Sequence, residues 1–120
     1  MAKKVLIIED EQTLVKALEQ MFKDSGYEIA VAIDGEEGWA QINSFQPDLV
    51  LLDLILPKLD GFSILQKIKS SSLTEKIPVI VMTNLSDVGD KVLSLGAADC
   101  LVKADLTAAD IQKVVQEKLQ

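Results

Sequence analysis

Four short apolar runs in this chain each stop on a residue able to do chemistry. Residues 5–8 lead into Glu9 and Asp10, residues 49–52 into Asp53, residues 79–82 into Thr83 and residues 100–102 into Lys103. Apolar runs of that length read as strands. If the strands lie parallel, their carboxyl ends share one edge of a sheet, and open α/β sheets bind ligands beyond that edge, where the strand order reverses. Three carboxylates, a hydroxyl and an ammonium would then converge. Like charges in one site raise one another's pKa, so the carboxylates tolerate each other best around a cation. An all-oxygen ligand set favours a hard ion, and a small open cluster favours Mg²⁺ over a full calcium cage. Lys103 adds a second positive charge and Thr83 a hydrogen bond. Such a pocket suits a phosphoryl group beside an aspartate, and a carboxylate can accept that group covalently. Metal and amine would stabilise charge on the transferring group, which is most of what phosphoryl transfer asks of a protein.

Taken singly, these residues have plainer readings. Asp10 and Glu11 read as N-terminal helix charges favoured by the dipole. Thr83 is an ordinary strand end, and Lys103 a solvated lysine or a structural partner of Asp53. Asp53 is the most telling, because a lone carboxylate inside an apolar run is costly to bury unpaired.

Helical patterns separate the runs. Leu14, Leu18, Met21 and Phe22 recur at helical spacing with Val15 beside them, and Ser25-Gly26 stops that helix. Residues 27–33 form a further strand, interrupted by Glu28 and lightened by Ala30 and Ala32, which marks an edge. Asp34, with Glu37 three residues on, predicts an N-cap. Trp39 and Ile42 face inward on that helix until Gln46-Pro47-Asp48 breaks it. Residues 54–60 form a loop containing Pro57, and Gly61 opens a helix with Ile64, Leu65 and Ile68 on one face. A polar connection over 70–76 precedes Pro78, which introduces the next strand. A helix over about 86–95 presents Val88, Val92 and Leu95 and ends at Gly96. Thr107 caps a last helix with Ile111, Val114, Val115 and Leu119 inward. Continuous Val, Ile and Leu runs indicate strands covered on both faces. The pattern predicts a doubly wound α/β domain with a five-stranded parallel sheet, one unit over residues 1–120.

Composition closes off several functions. The net charge is -7, all 12 basic residues are lysine, and there is no histidine. An acidic chain without arginine is poorly suited to direct nucleic-acid binding, which rests on phosphate neutralisation. Without histidine there is no Ser-His-Asp or Cys-His active site and no imidazole-bound zinc. Cys100 stands alone, which suits a reducing cytoplasm. The longest apolar stretch, residues 49–56, is interrupted by Asp53 and falls far short of the roughly 20 residues of a membrane span. The apolar run after Lys4 is too short for a secretory signal. A cytoplasmic protein without membrane contact is expected.

The pieces Ile7-Ile8-Glu9-Asp10-Glu11, Pro47-Asp48-Leu49-Val50-Leu51-Leu52-Asp53, Leu56-Pro57-Lys58-Leu59-Asp60-Gly61, Val81-Met82-Thr83, and Gly96-Ala97-Ala98-Asp99 leading to Lys103 occur in this order. Together they resemble the receiver domain of two-component response regulators, over residues 4–119. The resemblance implies a flavodoxin-like sheet of order 2-1-3-4-5 with five helices. It implies Asp53 as phosphoacceptor from a histidine kinase or phosphotransfer protein, and Asp10 as a direct Mg²⁺ ligand. Glu9 would act nearby through water, with the Ile55 carbonyl completing the protein ligands. Thr83 and Lys103 would bind phosphoryl oxygens, and the Asn84 backbone amide would add a donor. Output would pass by conformational change to a protein, through the face of the fourth helix, fifth strand and fifth helix. The only reactions implied are the domain's own phosphorylation and dephosphorylation. A stand-alone regulator and a receiver taken from a longer protein are both compatible with the chain.

Three positions depart from the family pattern. Cys100 stands where an aromatic residue usually precedes the lysine by three. Ala104 follows the lysine in place of a proline with a cis bond; a cis non-proline bond costs about 2.5–4 kcal/mol, so trans is expected. Asn84 is larger and more polar than the usual small residue after the threonine. Ile55 and Leu85, each two residues past a strand end, should flank the pocket mouth and hinder an attacking water. Among alternatives, a haloacid-dehalogenase-type phosphatase needs a second aspartate where Ile55 stands. In a flavodoxin-like FMN carrier, Glu9-Asp10-Glu11 would repel the phosphate. A phosphorylation-independent interaction domain fits Cys100 and Ala104 but leaves Asp53, Thr83 and Lys103 without a purpose.

Overall fold

The computed structural model describes residues 2–120. The chain runs β1 (Lys4–Ile8), α1 (Gln12–Asp24), β2 (Glu28–Ala32), α2 (Gly35–Phe45), β3 (Leu49–Asp53), α3 (Gly61–Ser70), β4 (Val79–Thr83), α4 (Gly89–Ser94), β5 (Asp99–Val102), a 3-10 turn (Lys103–Asp105) and α5 (Ala108–Leu119). All strand pairs are parallel, in the order β2-β1-β3-β4-β5. β2 lies at the edge, where its small and polar residues place it.

Alternation along the strands builds two cores. Leu6, Ile8, Val50, Leu52, Val79 and Val81 pack with Ile42 of α2, Ile64, Leu65 and Ile68 of α3 and Val92 of α4. Their neighbours Val5, Ile7, Leu49, Leu51, Ile80 and Met82 pack with Val15, Leu18 and Phe22 of α1 and Ile111 and Val115 of α5. Burying each such side chain contributes roughly 1.5–3 kcal/mol. Both faces are therefore dry, and polar side chains are left to the strand ends. The order reverses at β1 and β3, so the ends of those two strands open the crevice between the helix layers.

Several details differ from the pattern. Helix α4 begins at Gly89 rather than near residue 86, because Asp87 takes a left-handed φ of 59° that cannot continue into an α-helix. Trp39 is half-buried, with the Lys67 ammonium 5.5 Å from its ring centre. Leu14, Met21, Val114 and Leu119 are half-buried as well, at the margin of the α1–α5 layer. Every peptide bond among the described residues is trans, including Lys103–Ala104.

The loop between β3 and α3 is held from two sides. Gly61 N donates to Leu54 O at 3.0 Å, and a Cβ on Gly61 would overlap the Asp53 carbonyl oxygen. Gly35 N donates to Pro57 O at 3.1 Å, Lys58 pairs with Asp34 at 3.5 Å, and a Cβ on Gly35 would overlap Leu59. Asp60 caps α3 by accepting from Ser63 N at 3.0 Å. That hydrogen bond holds the Asp60 carboxyl below its ordinary value of 3.8. A depressed carboxylate stabilises the fold above the unfolded pKa and loses that contribution as pH falls through the folded one. Asp60→Ala is expected to cost about 1 kcal/mol at neutral pH, measured by urea unfolding. The difference from the wild type should shrink below pH 3.8.

Candidate functional site

The ends of β1, β3 and β5 bring their polar residues together. Oxygens of Glu9, Asp10 and Asp53 lie within 4.8 Å of one another. Glu9 is fully buried, Asp53 is 5% exposed and Asp10 is open to solvent. Lys103 reaches into the cluster with its ammonium 2.7 Å from Glu9 Oε1, 3.4 Å from Asp53 Oδ2 and 3.5 Å from Glu11 Oε1. Its nearest partner is thus Glu9, not Asp53. Glu11 belongs to the cluster too, where the sequence pattern offered it only as a charge at the start of a helix; α1 begins at Gln12 and has no acidic residue in its first turn. The place of Glu11 two residues after Glu9 was the available signal.

Backbone amides hold the carboxylates in place. Glu9 Oε2 accepts from Asp10 N at 3.0 Å and Glu11 N at 3.1 Å, and Asp53 Oδ1 accepts from Ile55 N at 3.3 Å. The other Glu9 oxygen, Oε1, is buried and has the Lys103 ammonium as its partner at 2.7 Å. Burial pushes the Glu9 carboxyl from 4.5 up to about 7, against the pull of Lys103 and the Glu11 amide. The Glu9 contribution to stability is therefore present below pH 4.5 and is lost as pH rises through about 7, where the carboxyl ionises in a buried position. Burial opposes the charge on Lys103, yet Glu9, Asp53 and Glu11 outweigh it and hold its pKa above the ordinary value. Three carboxylates within 4.8 Å of one another, one of them open to solvent, fit a hard divalent cation that keeps some of its waters.

Beside the cluster lies a cavity of about 200 Å³ lined by Asp53, Ile55, Asn84, Leu85 and Lys103. Ile55 is 61% exposed and Leu85 37%, so both stand at its mouth. Thr83 is buried, and its hydroxyl oxygen accepts from Leu85 N at 3.0 Å. Its own proton remains available to donate. Asn84 turns its side chain to Ala104, whose N–H it accepts at 2.8 Å. Cys100 is half-buried against the α2–α4 layer, and burial raises its thiol pKa, so it is a packing residue. A larger cavity of about 390 Å³, between Ile42, Asn43, Gln46, Pro47, Leu73, Thr74 and Ile77, sits at the amino ends of the strands and has no ionisable side chain. Among the described residues, no helix is long and apolar enough to cross a membrane.

Residues 5–116 match the family model of the response regulator receiver domain. The chain belongs to the response regulator receiver family. This receiver is 41% identical over 102 residues to a probable transcriptional regulator, ycf27, of Porphyridium aerugineum, covering 83% of the chain and 41% of that protein. It spans about two fifths of the length of the curated relatives ycf27 and PhoP of Bacillus subtilis. Among solved structures, the receiver domain of sensor histidine kinase PA1611 from Pseudomonas aeruginosa has a magnesium ion coordinated in its active site cleft. It superposes with a TM-score of 0.85 at 26% identity, over 99% of this chain and 98% of that one. A CheX-CheY-BeF3-Mg complex from Borrelia burgdorferi matches with a TM-score of 0.87 at 30% identity, over 98% and 90%.

The receiver's clustered carboxylates repel one another, and Asp10 is the one without a lysine contact in the structure. Asp10→Asn should therefore raise the thermal midpoint in EDTA by the equivalent of about 1 kcal/mol, the size of one like-charge pair near 4 Å in water. Any rise on adding Mg²⁺ should be smaller in this variant than in the wild type.

Proposed function

We propose that this receiver accepts a phosphoryl group from a phosphohistidine onto Asp53 and signals by a change of conformation to a protein partner. The observation that carries the reading is the Asp53 carboxylate, buried in the cluster with Glu9 and Asp10, 3.4 Å from an ammonium and facing a cavity. In the forward step an Asp53 oxygen attacks phosphorus. The P–O bond forms as the P–N bond to the donor imidazole breaks, and the freed nitrogen keeps the electron pair. In decay, water attacks phosphorus, the P–O bond to Asp53 breaks, and inorganic phosphate leaves.

Lys103 turns its ammonium from the carboxylates to the phosphoryl oxygens, a short movement given its 3.4 Å distance from Asp53. Thr83 donates its hydroxyl proton to a phosphoryl oxygen, and the Asn84 backbone amide donates to another. Glu9, Asp10, Asp53 and the Ile55 carbonyl would hold Mg²⁺, Glu9 through water. Bound there, Mg²⁺ neutralises charge developing on the phosphoryl oxygens. The magnesium ion in the PA1611 receiver supports this assignment.

The donor is a histidine kinase or a phosphotransfer protein. The output face is formed by α4, β5 and α5, where Leu93 and Val102 are about half exposed. The Borrelia complex offers a parallel for protein docking on a receiver. The unit acts as one domain over residues 1–120, in the cytoplasm, without direct nucleic-acid contact and with no reaction beyond its own phosphorylation and dephosphorylation.

Incubation with acetyl phosphate and Mg²⁺, followed by intact mass, should give one phosphate adduct that Asp53→Asn abolishes. No adduct on the wild type would favour a phosphorylation-independent docking domain. Ile55 and Leu85 shield the cavity from water, so Ile55→Asn with Leu85→Glu should speed decay of the adduct several-fold, followed by mass against time. An unchanged decay rate would remove the shielding role.

A further inference from the structure

Asn84 ties together two loops on either side of the phosphoryl cavity. Its Oδ1 accepts the Ala104 N–H at 2.8 Å, 20 residues further along the chain. The bond depends on both residues. Proline at 104 would have no N–H to give, and a one-carbon side chain at 84 would have no acceptor.

The neighbours of each residue give the bond its consequence. Asn84 follows Thr83, the buried last residue of β4, and Thr83 Oγ1 already accepts from Leu85 N at 3.0 Å. The backbone at Asn84 is therefore anchored. Ala104 follows Lys103 in the 3-10 turn Lys103–Asp105, whose own closing bond from Leu106 N to Lys103 O is long at 3.3 Å. That turn hangs from β5, the short edge strand Asp99–Val102, whose last residue is 45% exposed. The anchored side is β4 and the loosely held side is β5, so the Asn84 bond steadies the turn that carries Lys103. A lysine ammonium on its flexible four-carbon stem keeps one place only if its Cα does.

We propose that Asn84 is a positioning residue for Lys103: by holding the Ala104 amide it fixes the lysine backbone so that the ammonium stays within reach of the phosphoryl group on Asp53 during transfer. The side chain of Asn84 itself touches no reacting atom. This inference rests on the reading of Asp53 as phosphoacceptor.

The test uses the full chain and the variants Asn84→Ala, Ala104→Pro and their combination. Adduct formation from acetyl phosphate is timed by intact mass at saturating Mg²⁺. Mg²⁺ affinity is measured by calorimetry, the unfolding midpoint in urea, and Ala104 amide exchange by NMR. Asn84→Ala should lower the phosphorylation rate constant by roughly tenfold through misplacement of the ammonium. Mg²⁺ affinity should not fall, since a displaced ammonium competes less with the cation for Glu9 and Asp53, and the unfolding midpoint should move little, since Ala104 is exposed. A merely structural role would lower both values and leave the rate alone. The Ala104 amide should exchange about tenfold faster in Asn84→Ala, as expected for a lost hydrogen bond. The double variant should be no slower than the slower single one, since both remove the same bond. A rate in Asn84→Ala at or above the wild type, or effects that multiply in the double variant, would overturn the proposal. Should Ala104→Pro fail to fold, the rate and exchange of Asn84→Ala decide alone. Wild type that takes up no phosphate overturns the Asp53 reading and this inference with it; wild type that does, with Asn84→Ala equal to it, overturns this inference only.

Discussion

One ammonium among carboxylates is the constraint on which the rest of the site depends. Lys103 stands between Glu9, Glu11 and Asp53 at the dry end of the sheet. Glu9 has no exposed surface, so its charge is costly unless something positive answers it. The lysine answers in part, and the raised Glu9 pKa shows that burial still prevails. A site so arranged gathers four carboxylates around one ammonium. It also holds its amine within reach of the one carboxylate that faces a cavity.

The hydrophobic layers make that arrangement possible. Strands covered on both sides leave no polar surface except at their ends, and parallel pairing sends all those ends the same way. The reversal of order at β1 and β3 parts the helix layers at the place where Glu9, Asp10 and Asp53 emerge. Gly61 and Gly35 then let backbone close over the β3–α3 loop where any side chain would collide. Of the strands that carry site residues, β1, β3 and β4 are buried and β5, at the edge, is the most exposed.

That asymmetry gives the departures from the family pattern a physical sense. With alanine after the lysine, the chain gains an amide hydrogen, and the larger residue after the threonine receives it. The two differences answer each other. Cys100 fills part of the α2–α4 layer as a small inert thiol, so this receiver has no ring there to turn.

Periodicity and punctuation in the sequence determined the five strands, the edge placement of β2, the caps at Asp34 and Thr107, and the list of polar strand ends. Those properties are local: a run of Val, Ile and Leu is dry wherever it packs, and an Asx cap needs only its own turn. The order of the strands came with the family resemblance, because nothing in a single run says which neighbour it pairs with. Tertiary structure alone decided that Lys103 sits closest to Glu9, that Glu11 joins the cluster, that α4 starts late behind a left-handed Asp87, and that Asn84 meets Ala104. Each of these is a distance between side chains, or a backbone angle set by packing, and neither follows from spacing along the chain.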